Sequence, residues 1–199
     1  VRGNEVMPSR NVIKIDADNS YYHVYGRGSS KQLIYRNRED YTVFLALFKR
    51  YLDTIPSYDP SGRPYKSHRD EIKLLCFCLM PNHFHCLFLQ YRSGGMAALM
   101  QKIMTSYSRY FNKKYSLSGP LLESRYKAVH LKDESHLTHI SRYIHLNPDE
   151  WRDYEYSSIV NYLGLVHAGW IDTSLIMENF NSKEAYIDFL SDYLVKHKE

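Results

Sequence analysis

The stretch Leu79-Met80-Pro81-Asn82-His83-Phe84-His85-Cys86-Leu87-Phe88-Leu89 carries two histidines at spacing i, i+2 inside an apolar run, which reads as a strand. Successive strand side chains point to opposite faces, so His83 and His85 project together while Phe84, Cys86 and Phe88 fill the other face. Two imidazoles about 7 Å apart along a strand can close on one cation, and histidine is the commonest metal ligand. The plainer alternative is a histidine pair on an exposed sheet face. A second segment sharpens the choice: in Arg142-Tyr143-Ile144-His145-Leu146-Asn147-Pro148, a tyrosine and an amide stand at i, i+4 on one helix face. The two segments together outline a metal-assisted phosphodiester site with a tyrosine nucleophile.

At 199 residues the chain suits one well-buried core rather than two. No apolar run reaches the roughly 18 residues of a membrane helix, and no signal-peptide pattern opens the chain, so a cytoplasmic protein without a membrane partner is expected. Cys76, Cys78 and Cys86 are odd in number and lie in strand-like runs, as reduced thiols would. A zinc site from Cys76, Cys78, His83 and Cys86 is conceivable, although the spacing fits no knuckle pattern. The net charge is only +4, but its distribution is uneven. Between Lys102 and Lys132 stand Lys102, Arg109, Lys113, Lys114, Arg125, Lys127 and Lys132 against the one acid Glu123, with Tyr107, Tyr110, Tyr115 and Tyr126 interleaved. Basic groups neutralise phosphates and aromatic faces stack on unpaired bases. A solvated helix face is the competing explanation. Lys113 and Lys114 follow the apolar stripe of their helix and are expected to face solvent.

The element pattern reads as strand-helix-strand-strand-helix-strand. A first strand covers Tyr21 to Tyr25 and stops at Gly26-Arg27-Gly28. Asn37 caps a helix running to about Asp53. Ile72 to Met80 is a second strand, turned by Pro81-Asn82 into the histidine-bearing third. Gly94-Gly95 opens a long helix, Arg125 to Leu131 is a fourth strand, and Asp133 caps a helix reaching Asn147. This order is the split βαβ, ferredoxin-like arrangement of the α+β class: an antiparallel sheet with helices on one face. Residues 1–19 read as an N-terminal extension, the first six being left out of the fold reading. Residues 20–150 form the catalytic domain, and 151–199 a helical extension of the same domain.

If His83 and His85 hold a divalent ion and Asn147 adds an amide oxygen, three neutral ligands leave open positions and the ion's full charge. That suits a phosphate oxygen better than a closed structural zinc. Imidazole favours Mn, Ni or Zn while Mg is abundant, which points to Mg or Mn as the cofactor. Tyr143, one turn before Asn147, is carried to the same place, where a cation favours its phenolate. Attack on phosphorus gives a covalent phosphotyrosine and retains the phosphodiester energy, so no nucleotide cofactor is needed, and the chain has no Walker-type loop. Tyr107 and Tyr110 are the other candidate nucleophiles, lacking a polar partner like Asn147. His139, one turn before Tyr143, is a candidate for proton transfer.

The chain resembles the HUH single-tyrosine transposases, specifically the REP-associated tyrosine transposase branch of the insertion-sequence transposases. The likeness rests on Met80-Pro81-Asn82-His83-Phe84-His85, on Tyr22-His23-Val24 with Arg27-Gly28, on Met104 to Asn112, on Gly119…Arg125-Tyr126-Lys127, on Ser141 to Pro148, and on Tyr156-Ser157-Ser158. Gly28-Ser29-Ser30 departs from the branch, which often has an asparagine after the glycine. The resemblance implies a metal-dependent single-stranded DNA endonuclease and strand transferase that forms a 5′-phosphotyrosine link on hairpin or palindromic repeat DNA. Tyr143 would be the nucleophile and His83, His85 and Asn147 the metal ligands. Arg27 joins the basic stretch as a DNA-binding residue, and monomer and homodimer are both open. Two other readings remain: a ferredoxin-like nucleic-acid-binding module without catalysis, and a replication-initiator or relaxase-like nickase.

Overall fold

A computed structural model describes residues 15–133 and 135–196. The element order is β1 (Ser20–Arg27), α1 (Arg38–Leu52), β2 (Ile72–Met80), β3 (His83–Gln90), α2 (Gly95–Tyr115), β4 (Lys127–Leu131), α3 (His136–His145), α4 (Ile159–Tyr162), α5 (Ser174–Met177) and α6 (Lys183–Lys196). The four strands form one antiparallel sheet in the order β2-β3-β1-β4, the ferredoxin-like arrangement expected from the element pattern. Most of the N-terminal extension read over 1–19 lies outside the described residues. No helix among them is long and apolar enough to cross a membrane.

The central pair β3 and β1 decides what the sheet presents. Alternation sends Phe84, Cys86 and Phe88 of β3 and Tyr22 and Val24 of β1 into a core with Phe44, Phe48, Leu99, Ile103 and Tyr107 of α1 and α2. All five sheet residues are at most 1% exposed. Burying each aromatic ring contributes about 1.5–3 kcal/mol, so truncating Phe84 to alanine should cost about 3–5 kcal/mol once its cavity is counted. The opposite parity faces the elements that follow β4. Leu87 and Leu89 of β3 meet Leu137 and Ile144 of α3 and Tyr186 and Leu190 of α6.

β2 is an edge strand, and its outer side is sewn up by the chain after residue 153. Leu79 N–H donates to Tyr156 O, Ser158 N–H to Phe77 O, and Asp172 N–H to Leu74 O, each at 2.9 Å. An exposed apolar edge invites pairing with other chains, and this cover removes it.

The loop after β1 grips the β2–β3 turn. Ile34 and Tyr35 N–H both donate to Pro81 O, and Gly28 N–H donates to Asn82 O. Gly28 has to be glycine here, because a Cβ would fall 2.1 Å from the Gln32 carbonyl oxygen.

Candidate active site

His83 begins β3 and His85 follows on the same face, as the alternation requires. Antiparallel register sets Arg27 of β1 opposite His83 and Tyr25 opposite His85, with Lys127 of β4 opposite Tyr25. α3 crosses this face and ends at His145; Asn147 lies just beyond its Leu146 cap. The cluster that results contains more than was read from the sequence. The Tyr143 ring meets His85 edge-on at 5.3 Å and His23 at 5.8 Å between centroids. Asn147 Oδ1 is 2.9 Å from His83 Nε2.

Each imidazole is held by its Nδ1. Asn82 Oδ1 lies 2.7 Å from His83 Nδ1, and Asn82 Nδ2 donates to Lys31 O, which turns the amide oxygen toward the ring. His23 Nε2 lies 2.9 Å from His85 Nδ1. Ligating histidines characteristically have their second nitrogen fixed by such a neighbour.

All three rings are disposed to be neutral. Burial takes His23 down to about 4. His85 is held well below the ordinary histidine value by burial first, then by His23 and His83. For His83, burial lowers the value, Asn147 opposes it and Arg27 reinforces it, with a net fall. A neutral His83 that donates from Nδ1 to Asn82 has a bare lone pair at Nε2. With the Asn147 amide in this orientation, that lone pair faces another acceptor at 2.9 Å. Two acceptors at that distance lack a positive centre between them. The donor set therefore fits a divalent cation bound by His83, His85 and Asn147.

His23 and Asn82 take part in the site without having been singled out as site residues. A signal for His23 exists in the order of elements: the split βαβ places β1 beside β3, and His23 has the parity of Tyr25, the residue opposite His85. Among the described residues, no group of three or more His, Cys, Asp or Glu is arranged to hold a metal. The conceivable zinc set fails on parity, since Cys76 and Cys78 pack on the α3 side and Cys86 on the α1/α2 side, all three buried.

Other expected site residues are placed elsewhere. His139 is exposed, with its Nδ1 2.9 Å from an Arg142 nitrogen and its ring beside Phe189 of α6, and so does not join the histidine cluster. Lys114 does not face solvent: its Nζ donates to Asp40 at 2.7 Å and to Tyr110 and Asn37, because it lies one turn after Tyr110 on the side of α2 that meets the α1 cap. Lys102 Nζ is 2.9 Å from His68 Nε2, over the Tyr51 ring. Lys113 is exposed at the end of α2. Arg109 and Arg125 line a cleft of about 790 Å³ between α2 and residues 120–126. Arg27 is exposed, and Lys127 extends over the Tyr25 ring. Of the basic residues expected to hold DNA, Arg27 and Lys127 are the pair beside the histidines. Tyr107 and Tyr110 are committed too: Tyr107 Oη donates to Ile34 O and Tyr110 Oη to Asp40, and burial raises both phenols above their ordinary value.

Residues 65–147, which include His83, His85, Tyr143 and Asn147, match the family model described as "Transposase IS200 like". A solved structure of a REP-associated tyrosine transposase bound to a REP hairpin is similar at a TM-score of 0.53 and 15% identity, covering 84% of this chain and 93% of that one. No curated protein matches the chain. Residues 65–147 thus resemble the IS200-like transposases, and over most of its length the chain has the fold seen in the REP-associated tyrosine transposase structure.

Proposed function

We propose that the protein is a divalent-metal-dependent single-stranded DNA endonuclease and strand transferase that acts on hairpin DNA through a covalent Tyr143 intermediate. The observation that carries this reading is the convergence of the Tyr143 ring on His85 and His23 with the Asn147 oxygen on His83 Nε2. His83, His85 and Asn147 would hold Mg or Mn, which when bound polarises the scissile phosphate and offsets its developing charge.

The chain's own groups do the rest. Asn82 and His23 fix the ring orientations of His83 and His85. Arg27 and Lys127 flank them and draw the phosphate backbone to this end of the sheet. Tyr143 Oη bonds to phosphorus, the bond from phosphorus to the 3′ oxygen breaks, and that oxygen leaves as a hydroxyl, taking up a proton as the phenol loses one. The 5′-phosphotyrosine conserves the ester, so an incoming 3′-hydroxyl reverses the step without a nucleotide cofactor. His139, turned toward α6, has no part in this reading. Hairpin DNA is assigned as substrate because the similar solved protein is bound to a REP hairpin.

The test is to incubate the full chain with a single-stranded hairpin oligonucleotide and Mn²⁺, separate covalent adducts on a denaturing gel, and map the modified residue by mass spectrometry. The adduct is expected on Tyr143, absent in Tyr143→Phe and absent in excess EDTA. An adduct on Tyr107, Tyr110 or any other residue overturns the assignment.

A further inference from the structure

α3 has two polar faces. Tyr143 and Asn147 point toward the histidines, whereas Ser141 and His145, each two residues away, leave the helix about 200° around it. These two are fully buried, as are Ser158 and Tyr186, which meet them from outside α3. His145 Nε2 is 2.7 Å from Ser158 Oγ, and His145 Nδ1 is 2.7 Å from Tyr186 Oη. Tyr186 Oη lies 3.0 Å from Ser141 Oγ, and Ser158 Oγ accepts from Phe77 N–H of β2 at 2.8 Å.

One direction of donation satisfies every member of this chain. Phe77 N–H donates to Ser158, Ser158 O–H to His145 Nε2, His145 Nδ1–H to Tyr186, Tyr186 O–H to Ser141, and Ser141 O–H to Thr138 O. It runs from the edge strand β2, through the interior of α3, to α6. The Tyr162 ring closes on His145 at 4.7 Å and donates its hydroxyl to Leu75 O of the same strand. A fully satisfied buried network of this kind specifies one arrangement, because any shift strands a donor or acceptor.

α3 spans only ten residues. A helix so short is marginal by itself, so its roll and height are set by what grips it. Apolar contacts through Leu137 and Ile144 resist separation and tolerate small rotations; directional hydrogen bonds do not. We infer that His145 and Tyr186 are positioning residues: by locking the buried side of α3 between β2 and α6, they set the alignment of Tyr143 and Asn147 on the opposite side with His83 and His85. The C-terminal extension thereby becomes part of the catalytic apparatus although, among the described residues, the hydrogen-bond partners of His83 and His85 are Asn82, Asn147 and His23. This inference rests on the assignment of Tyr143 and Asn147 made above.

The test uses the full-length chain and the variant Tyr186→Phe, which removes one hydroxyl and keeps the ring. Two readouts are taken: binding of Mn²⁺ alone by isothermal titration, and the rate of adduct formation on saturating hairpin oligonucleotide. We expect Mn²⁺ affinity and adduct rate each to fall about tenfold, the range typical when a group supporting a metal ligand is removed, while DNA affinity stays within twofold. The decisive comparison is made in an Asn147→Ala background, where Tyr186→Phe should cause no further loss of Mn²⁺ affinity, since a residue acting through Asn147 has nothing left to act on. Equal losses in both backgrounds reduce His145 and Tyr186 to ordinary core packing and overturn the inference. So does an unchanged Mn²⁺ affinity. If Asn147→Ala alone binds Mn²⁺ as the parent does, the ligand assignment has failed instead. His145→Gln, which reaches the same neighbours with an amide, should retain more Mn²⁺ affinity than His145→Ala if both fold.

Discussion

Asp40 and His83 stand on opposite sides of one sheet, and tyrosines crowd both. Around Asp40 every contact is a donor meeting an acceptor. One carboxylate oxygen accepts from Tyr110 and Lys114, the other from Tyr115 and the Arg36 N–H, at 2.7–2.9 Å. The carboxylate also completes the capping box of α1 with Asn37, tying the start of one helix to the end of another. At His83 one contact differs: when Nδ1 carries the ring proton, Nε2 and the Asn147 Oδ1 are two acceptors 2.9 Å apart. The rings are disposed to be neutral, and the Nδ1 positions of His83 and His85 are occupied by Asn82 and His23. The cluster at Asp40 is closed and holds the α1/α2 layer together. The cluster at His83 has instead an acceptor facing an acceptor, where under the reading proposed above a divalent cation would sit. Donor and acceptor counts thus separate a structural polar cluster from a functional one, where tyrosine content does not.

The contrast breaks most sharply at the tyrosines. Tyr143→Phe should reduce covalent DNA adduct below detection while leaving thermal stability within a few degrees of the parent. Tyr110→Phe should do the reverse: adduct formation at saturating DNA stays within about twofold, and stability falls by about 1 kcal/mol as one donor to Asp40 is lost. Denaturing gels and thermal melts on the same preparations give both answers. Loss of adduct formation in Tyr110→Phe with stability unchanged would interchange the roles of the two clusters.

A smaller effect tests whether Lys114 is the counter-ion of a buried carboxylate. Burial pushes the Asp40 carboxyl up, but the bonds from Lys114, the Arg36 N–H, Tyr115 and Tyr110 outweigh it and hold it below the ordinary carboxylate value. A carboxyl depressed by folding contributes stability at pH above its unfolded value, and that contribution is lost as pH falls through its folded value. Lys114→Met should therefore lower the thermal midpoint by several degrees at pH 7. The gap from the parent should narrow as pH falls below the ordinary carboxylate value of 3.8 and through the lower folded value, where the carboxyl protonates and no longer needs its partner. A gap that is the same at every pH would mean that Lys114 acts only through packing of its stem.

Much of this architecture was legible because it depends on local pattern. Pro81-Asn82 interrupts an apolar run, and β2 and β3 end and begin at those residues; Asn37 caps α1 as its side chain allows. The i, i+2 histidines share a face for the same reason, since strand period alone decides it, whereas the helix expected to reach Asn147 stops at His145 and leaves Asn147 just past its Leu146 cap. Lys114 was misread because its partner lies 74 residues away, and a charge at the end of an amphipathic helix has no local sign of a buried carboxylate waiting for it. His23 is likewise 62 residues from His85, and its role appears only once strand order is combined with register. The course of residues 151–196 was the least legible part. Their apolar spacing indicates helices, but which sheet face they cover follows from tertiary hydrogen bonds to β2.

The weakest of these effects concerns which side of the sheet DNA follows. Read along the chain, the basic stretch from Lys102 to Lys132 forms one phosphate track; in the fold it is divided. Lys102 and Lys114 are engaged with His68 and Asp40, and α2 lies across the sheet from the histidines. Arg27 and Lys127 instead stand on the histidine face, opposite His83 and Tyr25. Each phosphate contact on a single strand contributes about 0.7 to the slope of log affinity against log salt concentration. Arg27→Gln and Lys127→Gln should each flatten that slope by about this amount and weaken hairpin binding a few-fold at moderate salt, without altering the melting temperature. Lys113→Glu, exposed on the other layer, should change the slope by less than either. The measurement is a fluorescence-anisotropy titration of the hairpin oligonucleotide from 50 to roughly 300 mM salt, a range in which such contacts dominate the change in affinity. If Lys113→Glu has the larger effect, the strand crosses the α2 layer before reaching Tyr143, and the division between a structural and a DNA-facing layer drawn from Asp40 and His83 does not extend to the protein surface.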